Sequence, residues 1–203
     1  MSESTSPVLL VDGLTGQPVE AALYQPITEK HLQHHETAWQ QWLKAHYSTH
    51  PTLPRQQSDH WDWRAKMGAV RRLLAYPSFA IECNNETQGL MIVNTIASCR
   101  LPSQEGKPLV YIEFLETAPW NRGTLTAEQR FKRVGPVLLN IAIQVSQHEG
   151  FRGRIGLHSL PQSDSWYRDK CRMEDLGPDT KKHNLRYFEM TIKHASAFLK
   201  KGG

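Results

Sequence analysis

One stretch of the chain, residues 109–160, constrains the fold more than any other. Residues 109–117 are rich in β-branched and aromatic side chains and predict a strand that ends at Pro119. Apolar residues recur at helical spacing over residues 135–148, and residues 155–160 predict a second strand. Such a strand–helix–strand unit places its two strands parallel, with a right-handed crossover. The sequence therefore predicts an α/β or α+β fold with a mixed sheet.

The rest of the chain is predicted to add helices before this unit and strands on both sides of it. The predicted elements are a strand at residues 8–11, a helix at 28–47 with Thr28 as its N-cap, a helix from Ser58 or Asp59 to about residue 76, strands at 78–83 and 89–96, a short helix at 162–170 and a final strand at 185–192. We expect a single domain over residues 1–203, with a helical part at residues 1–77 and a core at residues 78–192.

Composition excludes several classes of protein. Hydrophobic residues make up 39% and charged residues 22% of the chain, which excludes wholesale disorder. The formal net charge of +4 favours anionic ligands mildly, but the basic residues are scattered among 20 acidic ones, so nucleic acid is not indicated. The cysteines, Cys83, Cys99 and Cys171, have no CxxC spacing. We therefore expect no disulfide framework and no metal site.

The location of the protein follows from the absence of targeting signals. The first 13 residues lack a basic region followed by a long apolar run, so no secretory signal is expected. No stretch approaches the roughly 20 apolar residues that span a bilayer, so no membrane association is expected. The sequence predicts a cytoplasmic protein in a reducing compartment.

A basic segment, reading RFKRVG over residues 130–135, precedes the predicted helix. A helix N-terminus presents unpaired N–H groups and the positive end of the helix dipole, and cationic side chains beside it favour a diphosphate. Pro136 fits the first turn, where its missing N–H is tolerated. The other reading is a basic surface loop before an ordinary amphipathic helix, and the segment alone favours that reading.

The order of these features resembles the core of the GCN5-related N-acetyltransferase (GNAT) superfamily. In this family a strand ends near a splay in the sheet, a loop of pattern Q/R-x-x-G-x-G/A binds the pyrophosphate of coenzyme A, and a helix follows. Arg130 and Gly135 match the pattern, whereas Arg133 replaces its middle glycine. The resemblance covers residues 78–192. It implies a GNAT-like mixed, mostly antiparallel central sheet with a splayed parallel strand pair, flanked by helices.

The resemblance also implies a function. An acetyltransferase of this family passes an acetyl group from the cosubstrate acetyl-CoA (coenzyme A) to an amine by direct attack. Tyr167 stands at the position of the family's general-acid tyrosine; the other reading is that it packs against Trp166. The donor that polarises the thioester carbonyl falls near Thr117 or Ala118. The implied coenzyme-binding residues are Thr117, Ala118, Arg130, Lys132, Arg133, Val134 and Gly135.

The general base is left open between two carboxylates of the central strand, Glu113 and Glu116. Strand alternation places them on opposite faces. A carboxylate in an otherwise apolar strand is costly unless it is used or paired, which favours Glu113, between Ile112 and Phe114. An ion pair or edge-exposed position for either residue, and a relay through water, are the alternatives.

Aromatic residues mark the expected acceptor side. Trp61, Trp63 and Trp120 are candidate walls of an acceptor pocket, although helical spacing makes packing in the core the favoured reading for the first two. The histidines at positions 31, 34 and 35 are expected on a solvated or substrate-facing helix face.

Two functions remain open at this stage. The first is an N-acetyltransferase whose acceptor is an unidentified amine on a small molecule, a protein or an aminoacyl group. The second is a GNAT-fold binding or regulatory protein that has lost catalysis and holds a protein or nucleic-acid partner. The replacement of a glycine by Arg133 and the unassigned base keep the second open. Members of the family are often dimers, so a homodimer is an expectation.

Overall fold

The computed structural model describes residues 3–200. The strands among them are β1 Ser4–Asp12, β2 Pro18–Gln25, β3 Ser78–Cys83, β4 Glu86–Ser98, β5 Pro108–Thr117, β6 Phe131–Lys132, β7 Ile155–Ser159, β8 Glu174–Asp179 and β9 Leu185–Met190. The helices are α1 Glu29–His34, α2 Gln40–Thr49, α3 Trp63–Val70, α4 Val134–His148 and α5 Ile192–Lys200, with π-helical turns at His35–Trp39 and Trp166–Lys170.

These strands form one sheet of order β6-β1-β2-β3-β4-β5-β7-β9-β8. β5 and β7 run parallel, in register from Val110↔Ile155 to Ile112↔Leu157. β1 pairs antiparallel with both β2 and β6, and β9 pairs antiparallel with both β7 and β8. The predicted mixed, mostly antiparallel sheet with one parallel pair and flanking helices is confirmed. No helix of the described residues is both long and apolar enough to cross a membrane.

The chain divides into two compact units. Unit 1 comprises the chain up to residue 91 and residues 115–138, and unit 2 comprises residues 92–114 and the chain from residue 139 onward. Unit 1 opens with the β1–β2 hairpin, in the part of the chain that was expected to be helical. Most side chains of β1 are exposed, so the strand carries little hydrophobic alternation, and only residues 8–11 were predicted.

The first helix of unit 1 is longer and more buried than its sequence indicates. α1, a π-helical turn and α2 follow one another without a break from Glu29 to Thr49, and Thr28 is the N-cap, as predicted. His31 is fully buried and His35 is 2% exposed. The prediction of a solvated face is therefore wrong for these two histidines. The π-helical turn places His35 and Trp39 together on the buried side.

The second helix starts later than predicted. α3 begins at Trp63, because the Asp62 carboxylate accepts from the amide of Ala65 at 2.9 Å and so caps the helix. Asp59, one of the two predicted caps, accepts instead from the amide of Gln56 at 2.8 Å.

Unit 2 contains two elements that the sequence did not predict, β8 and α5. β9 ends at Met190, and α5 follows it immediately. A Cβ atom at Gly153 would lie 3.1 Å from Ala195 Cβ, so glycine allows α5 to pack closely at this point. Glu189 is fully buried, and its carboxylate accepts from the amides of Arg100 and Leu101. This carboxylate fixes the turn between β4 and β5 to β9.

Candidate functional site

In unit 1, the basic segment that precedes α4 is fixed to the end of β1. Phe131–Lys132 forms β6, which pairs antiparallel with β1. The amide of Gly13 donates to the carbonyl of Arg130 at 2.8 Å. A Cβ atom at Gly13 would lie 1.6 Å from the carbonyl oxygen of Gln129, so only glycine permits this approach. The segment is therefore a braced strand and not a free loop.

The three cations of the segment lie in different surroundings. The Arg130 guanidinium lies 4.6 Å from the centre of a Trp120 ring and 3.2 Å from a Glu86 carboxylate oxygen. Lys132 and Arg133 are exposed. Arg133 has a φ of +73°, in the left-handed region that glycine enters freely. The middle glycine of the family pattern is thus replaced where the backbone favours glycine, at a cost of about 1–2 kcal/mol.

α4 begins directly after Arg133. The carbonyl of Arg133 accepts from the amide of Val137 at 3.0 Å, which is the first bond of the helix. The amides of Val134 and Gly135 precede this bond and have no acceptor within the helix. Val134 is 2% exposed, and a Cβ atom at Gly89 of β4 would lie 2.7 Å from its Cγ1 atom. Glycine at position 89 therefore lets the start of α4 pack directly on β4.

Gln88 accepts hydrogen bonds from the residues that follow the C-terminal end of β5. The amide of Ala118 donates to the carbonyl of Gln88 at 2.9 Å, and Ala118 is fully buried. The Oε1 atom of Gln88 accepts from Trp120 Nε1 and from Asn121 Nδ2, both at 2.9 Å. The Ala118 amide, one of the two donors expected for a thioester carbonyl, is thus engaged with β4. Thr117, the other expected donor, is half-buried.

Glu116 is 4% exposed, and both of its carboxylate oxygens accept hydrogen bonds. Its Oε1 atom accepts from Arg122 Nη2 at 2.6 Å, and its Oε2 atom accepts from Trp63 Nε1 at 2.5 Å. Nε2 of His35 lies 3.6 Å from the same Oε2 atom. Glu116 therefore forms the buried ion pair that the sequence left open as an alternative to a general base.

Arg122 connects this ion pair to the segment before α3. Its Nε atom donates to the carbonyl of Thr117 at 2.8 Å, and its Nη1 atom lies 3.3 Å from Asp59 Oδ1. Asp59 Oδ2 accepts from the Tyr47 hydroxyl at 2.6 Å. Burial, together with this hydrogen bond, raises the pKa of Tyr47. Sequence reasoning missed Arg122, because no local pattern links an arginine in a turn to carboxylates at positions 59 and 116.

The three candidate tryptophans differ in exposure. Trp63 is fully buried and Trp120 is 3% exposed, so both pack in the interior of unit 1. Trp61 is half-buried, with its ring centroid 6.4 Å from that of Trp63. The Lys66 ammonium lies 4.6 Å from the centre of the Trp61 ring. Of the three rings, that of Trp61 keeps accessible surface.

In unit 2, Tyr167 lies in the π-helical turn Trp166–Lys170 and is 7% exposed. Its ring packs edge-on against Trp166, with centroids 4.8 Å apart, and lies 6.0 Å from Phe188. Burial raises the pKa of Tyr167 well above its ordinary value. The phenol is therefore protonated at neutral pH, as a proton donor requires, and it also makes the packing contact expected under the alternative.

β5 and β7 part within unit 2. Their register ends at the pair Ile112↔Leu157, although both strands continue. The next residues along the two strands are Glu113 and His158. Glu113 is half-buried, and its Oε1 atom accepts from Asn94 Nδ2 at 3.0 Å. The parting agrees with the splayed parallel pair predicted from the sequence.

A chain of hydrogen bonds crosses unit 2 at this place. The Tyr111 hydroxyl lies 2.6 Å from His158 Nδ1, and His158 Nε2 lies 3.0 Å from Asp179 Oδ2. Nη1 of Arg100 donates to the same Asp179 oxygen at 2.5 Å. Burial lowers the pKa of His158, and the hydrogen bond to Asp179 opposes this shift. Sequence reasoning missed the cluster, because the register of three strands brings its members together.

Among residues 3–200, no group of three or more His, Cys, Asp or Glu side chains is close enough to hold a metal ion. The three cysteines are buried free thiols.

Comparison with known proteins identifies the fold. No protein-family model matches the sequence, and no curated protein is significantly similar to it. RimJ of Mycobacterium smegmatis, solved in complex with CoA-disulfide, is 13% identical with a TM-score of 0.52, over 98% of this chain and 95% of RimJ. The GNAT domain of S. lividans PAT is 15% identical with a TM-score of 0.52, over 92% of this chain and 96% of that domain.

Sequence identity this low carries information about the fold alone. Both likenesses extend over almost the whole of each chain. The mostly antiparallel sheet and its parallel β5–β7 pair agree with them. The chain therefore has the fold of the GCN5-related N-acetyltransferase superfamily.

Proposed function

We propose that this chain is an acyl-CoA-dependent N-acyltransferase that moves an acetyl group from acetyl-CoA to an amine. The observation that carries the proposal is the parting of β5 and β7 after Ile112↔Leu157 in a chain with this fold. An extended ligand with amide groups, such as the pantetheine arm of coenzyme A, can hydrogen-bond to strand backbone at a place where two parallel strands part. The complex of the similarly folded RimJ with CoA-disulfide supports the same class of cosubstrate.

The basic segment of unit 1 is the proposed site of the coenzyme pyrophosphate. The amides of Val134 and Gly135 and the dipole of α4 favour an anion, and Lys132 and Arg133 add exposed cations. Arg130 contributes less to binding, because its guanidinium is already stacked and paired.

The transfer needs a nucleophile, a polarised carbonyl and a proton for the leaving group. The amine nitrogen attacks the thioester carbon, the C–S bond of the tetrahedral intermediate breaks, and the thiolate leaves. We assign Tyr167 as the donor that protonates the thiolate, because it stands in the turn Trp166–Lys170 at the place of the family's general-acid tyrosine. We assign a backbone amide near Thr117 to the carbonyl oxygen.

The two strand carboxylates take different roles in this proposal. Glu113 is half-buried and attracts the ammonium form of the acceptor, whereas Glu116 is committed to Arg122 and is a positioning residue for the end of β5. On the acceptor side, Trp61 supplies accessible ring surface, and the ring of the buried Trp63 lies 6.4 Å from it, centroid to centroid.

The coenzyme site is tested with a substitution at Gly13 that displaces the basic segment. Wild-type protein is expected to bind acetyl-CoA in calorimetry, with an affinity that falls as salt increases. Gly13→Ala is expected to weaken binding about tenfold or more, because the added methyl group displaces the backbone at Gln129. The matched control is Gly123→Ala, whose Cβ atom would meet nothing closer than 3.8 Å, and it should bind as the wild type does.

Two results would speak against this assignment. A folded Gly13→Ala protein, verified by its melting curve, that keeps full affinity would place the pyrophosphate elsewhere. Wild-type protein that neither binds acetyl-CoA nor releases free thiol with any primary amine would contradict the transferase itself. The chain would then fit the alternative of a GNAT-fold protein that holds a protein or nucleic-acid partner.

The general acid is tested by Tyr167→Phe, which keeps the ring and its contact with Trp166. Turnover, followed by release of the free thiol, is expected to fall by about 10- to 1,000-fold, as for other general acids. Affinity for acetyl-CoA should stay at the wild-type value, because the hydroxyl acts on the leaving group only. Full turnover in this variant would reduce Tyr167 to a packing residue.

A further inference from the structure

The hydrogen-bonded chain of unit 2 lies where β5 and β7 part. Tyr111 is in the last paired part of β5, and His158 is the first residue of β7 beyond the paired register. Glu113 follows Tyr111 by two residues, so strand alternation directs both side chains to one face. The face thus holds a phenol one row before the last paired residues, and an imidazole and a carboxylate one row after them.

The ionised carboxylate of Asp179 decides which group donates and which accepts in each of these hydrogen bonds. The Arg100 guanidinium, then His158 and the amide of Lys181, hold the pKa of Asp179 well below its usual range. An ionised carboxylate only accepts, so Nε2 of His158 carries the proton and donates to Asp179. Nδ1 of the neutral ring is then an acceptor, and the Tyr111 hydroxyl donates to it. The chain is oriented to move a proton from Tyr111 toward His158.

We propose that Tyr111 and His158 form the proton relay that takes up the proton lost by the acceptor amine, an inference that rests on the proposed N-acyl transfer. As the amine nitrogen bonds to the thioester carbon, its proton passes to Tyr111 Oη and the phenol proton passes to His158 Nδ1. The imidazolium is stabilised by Asp179 and later returns the proton to water. Tyr111 touches the reacting amine, and Asp179 is a positioning residue.

The surroundings of both groups suit this role. Burial lowers the pKa of His158, so the ring is neutral and able to accept a proton at pH 7. Burial and the nearby Glu113 raise the pKa of Tyr111, so the phenol passes protons on without remaining ionised. Tyr111 and His158 are both half-buried residues. We assign the contact with the acceptor to Tyr111, because its hydroxyl is at the end of the hydrogen-bonded chain opposite Asp179.

The first experiment compares two tyrosines that stack in the same cluster, with ring centroids 6.5 Å apart. Tyr111→Phe removes the relay hydroxyl, and we expect kcat to fall by about 100-fold with the best acceptor of a panel of primary amines. The control Tyr187→Phe removes a hydroxyl from the neighbouring ring, and turnover should stay within about twofold of the wild type. Both variants should bind acetyl-CoA with wild-type affinity in calorimetry.

The second experiment uses the pH profile of kcat/KM, which a merely structural role would not move. The wild-type rate should fall on the acid side as His158 becomes protonated. The Asp179 carboxylate raises the pKa of His158 and Arg100 lowers it, so Asp179→Asn should move the acid limb to lower pH and Arg100→Gln should move it to higher pH. The groups that face or act on His158 from the surrounding elements are Arg100, Tyr111, Glu113, Asp179, Lys182 and Tyr187.

The outcomes separate this inference from the function on which it rests. Protein that binds acetyl-CoA and acylates amines, but keeps full kcat in Tyr111→Phe or the same acid limb in both charge variants, would refute the relay and leave the transferase standing. Wild-type protein without coenzyme binding or thiol release would refute the transferase, and the relay with it. A large loss in Tyr111→Phe, with opposite shifts of the acid limb, is the result that we expect.

Discussion

Replacing Glu116 with alanine is expected to lower the free energy of unfolding by about 3–5 kcal/mol. Glu116 is 4% exposed, and the Arg122 side chain is 8% exposed. The substitution removes the carboxylate oxygen that lies 2.6 Å from Arg122 Nη2, so the buried guanidinium loses its strongest partner. It also removes the acceptor of the Trp63 Nε1–H hydrogen bond. Urea unfolding monitored by circular dichroism measures the loss.

The control for this prediction is Glu113→Ala on the same strand. Glu113 is half-buried and accepts from Asn94, so its removal is expected to cost less than about 1 kcal/mol. The double variant Glu116→Ala, Arg122→Met should recover part of the stability, because it removes the unpaired buried charge. Equal losses for Glu116→Ala and Glu113→Ala would contradict the structural role of the ion pair.

Trp63→Ala is expected to cost about 3–5 kcal/mol, because it empties a fully buried site. It also removes the hydrogen bond to Glu116 Oε2, so its effect is not additive with that of Glu116→Ala. Trp61→Ala is the matched comparison: its ring is half-buried, so we expect a smaller loss of stability and a raised Michaelis constant for the acceptor. Melting temperatures and acceptor kinetics of the two variants distinguish them.

Two results for the tryptophan variants would contradict these predictions. If Trp63→Ala were as stable as the wild type, the structure would be wrong about the interior of unit 1. If Trp61→Ala changed neither stability nor the kinetics of either substrate, the proposed acceptor contact would be wrong.

Local sequence patterns predicted the elements whose side chains are buried with clear periodicity. β3, β5 and α4 fall within a few residues of their predicted bounds, because each carries a strong strand or helix pattern. β2 and β8 have few or no buried residues, so little in their sequence separates them from loops. The predicted start of α3 was wrong by three or four residues, because Ser58, Asp59 and the true cap Asp62 are all residues that can cap a helix.

Candidate site residues were predictable only where they follow each other along the chain. The basic segment and the start of α4 form one continuous motif, and a single sequence displays it. The partnership of Arg122 with Glu116, and that of Tyr111 with His158, depend on distant parts of the chain. Strand register decides which residues become neighbours in space, and register is not encoded in any short window of sequence.

Because Phe131–Lys132 is already paired with β1, the backbone of the basic segment is ordered when the chain folds. Fixing one residue of backbone costs about 1–2 kcal/mol of conformational entropy. When a ligand binds a mobile loop, the entropy cost of ordering the loop reduces the free energy of binding. The basic segment is already ordered, so a ligand that binds there does not incur this cost. Association at this segment should therefore be limited by diffusional encounter, with a rate that depends on ionic strength and little on loop rearrangement.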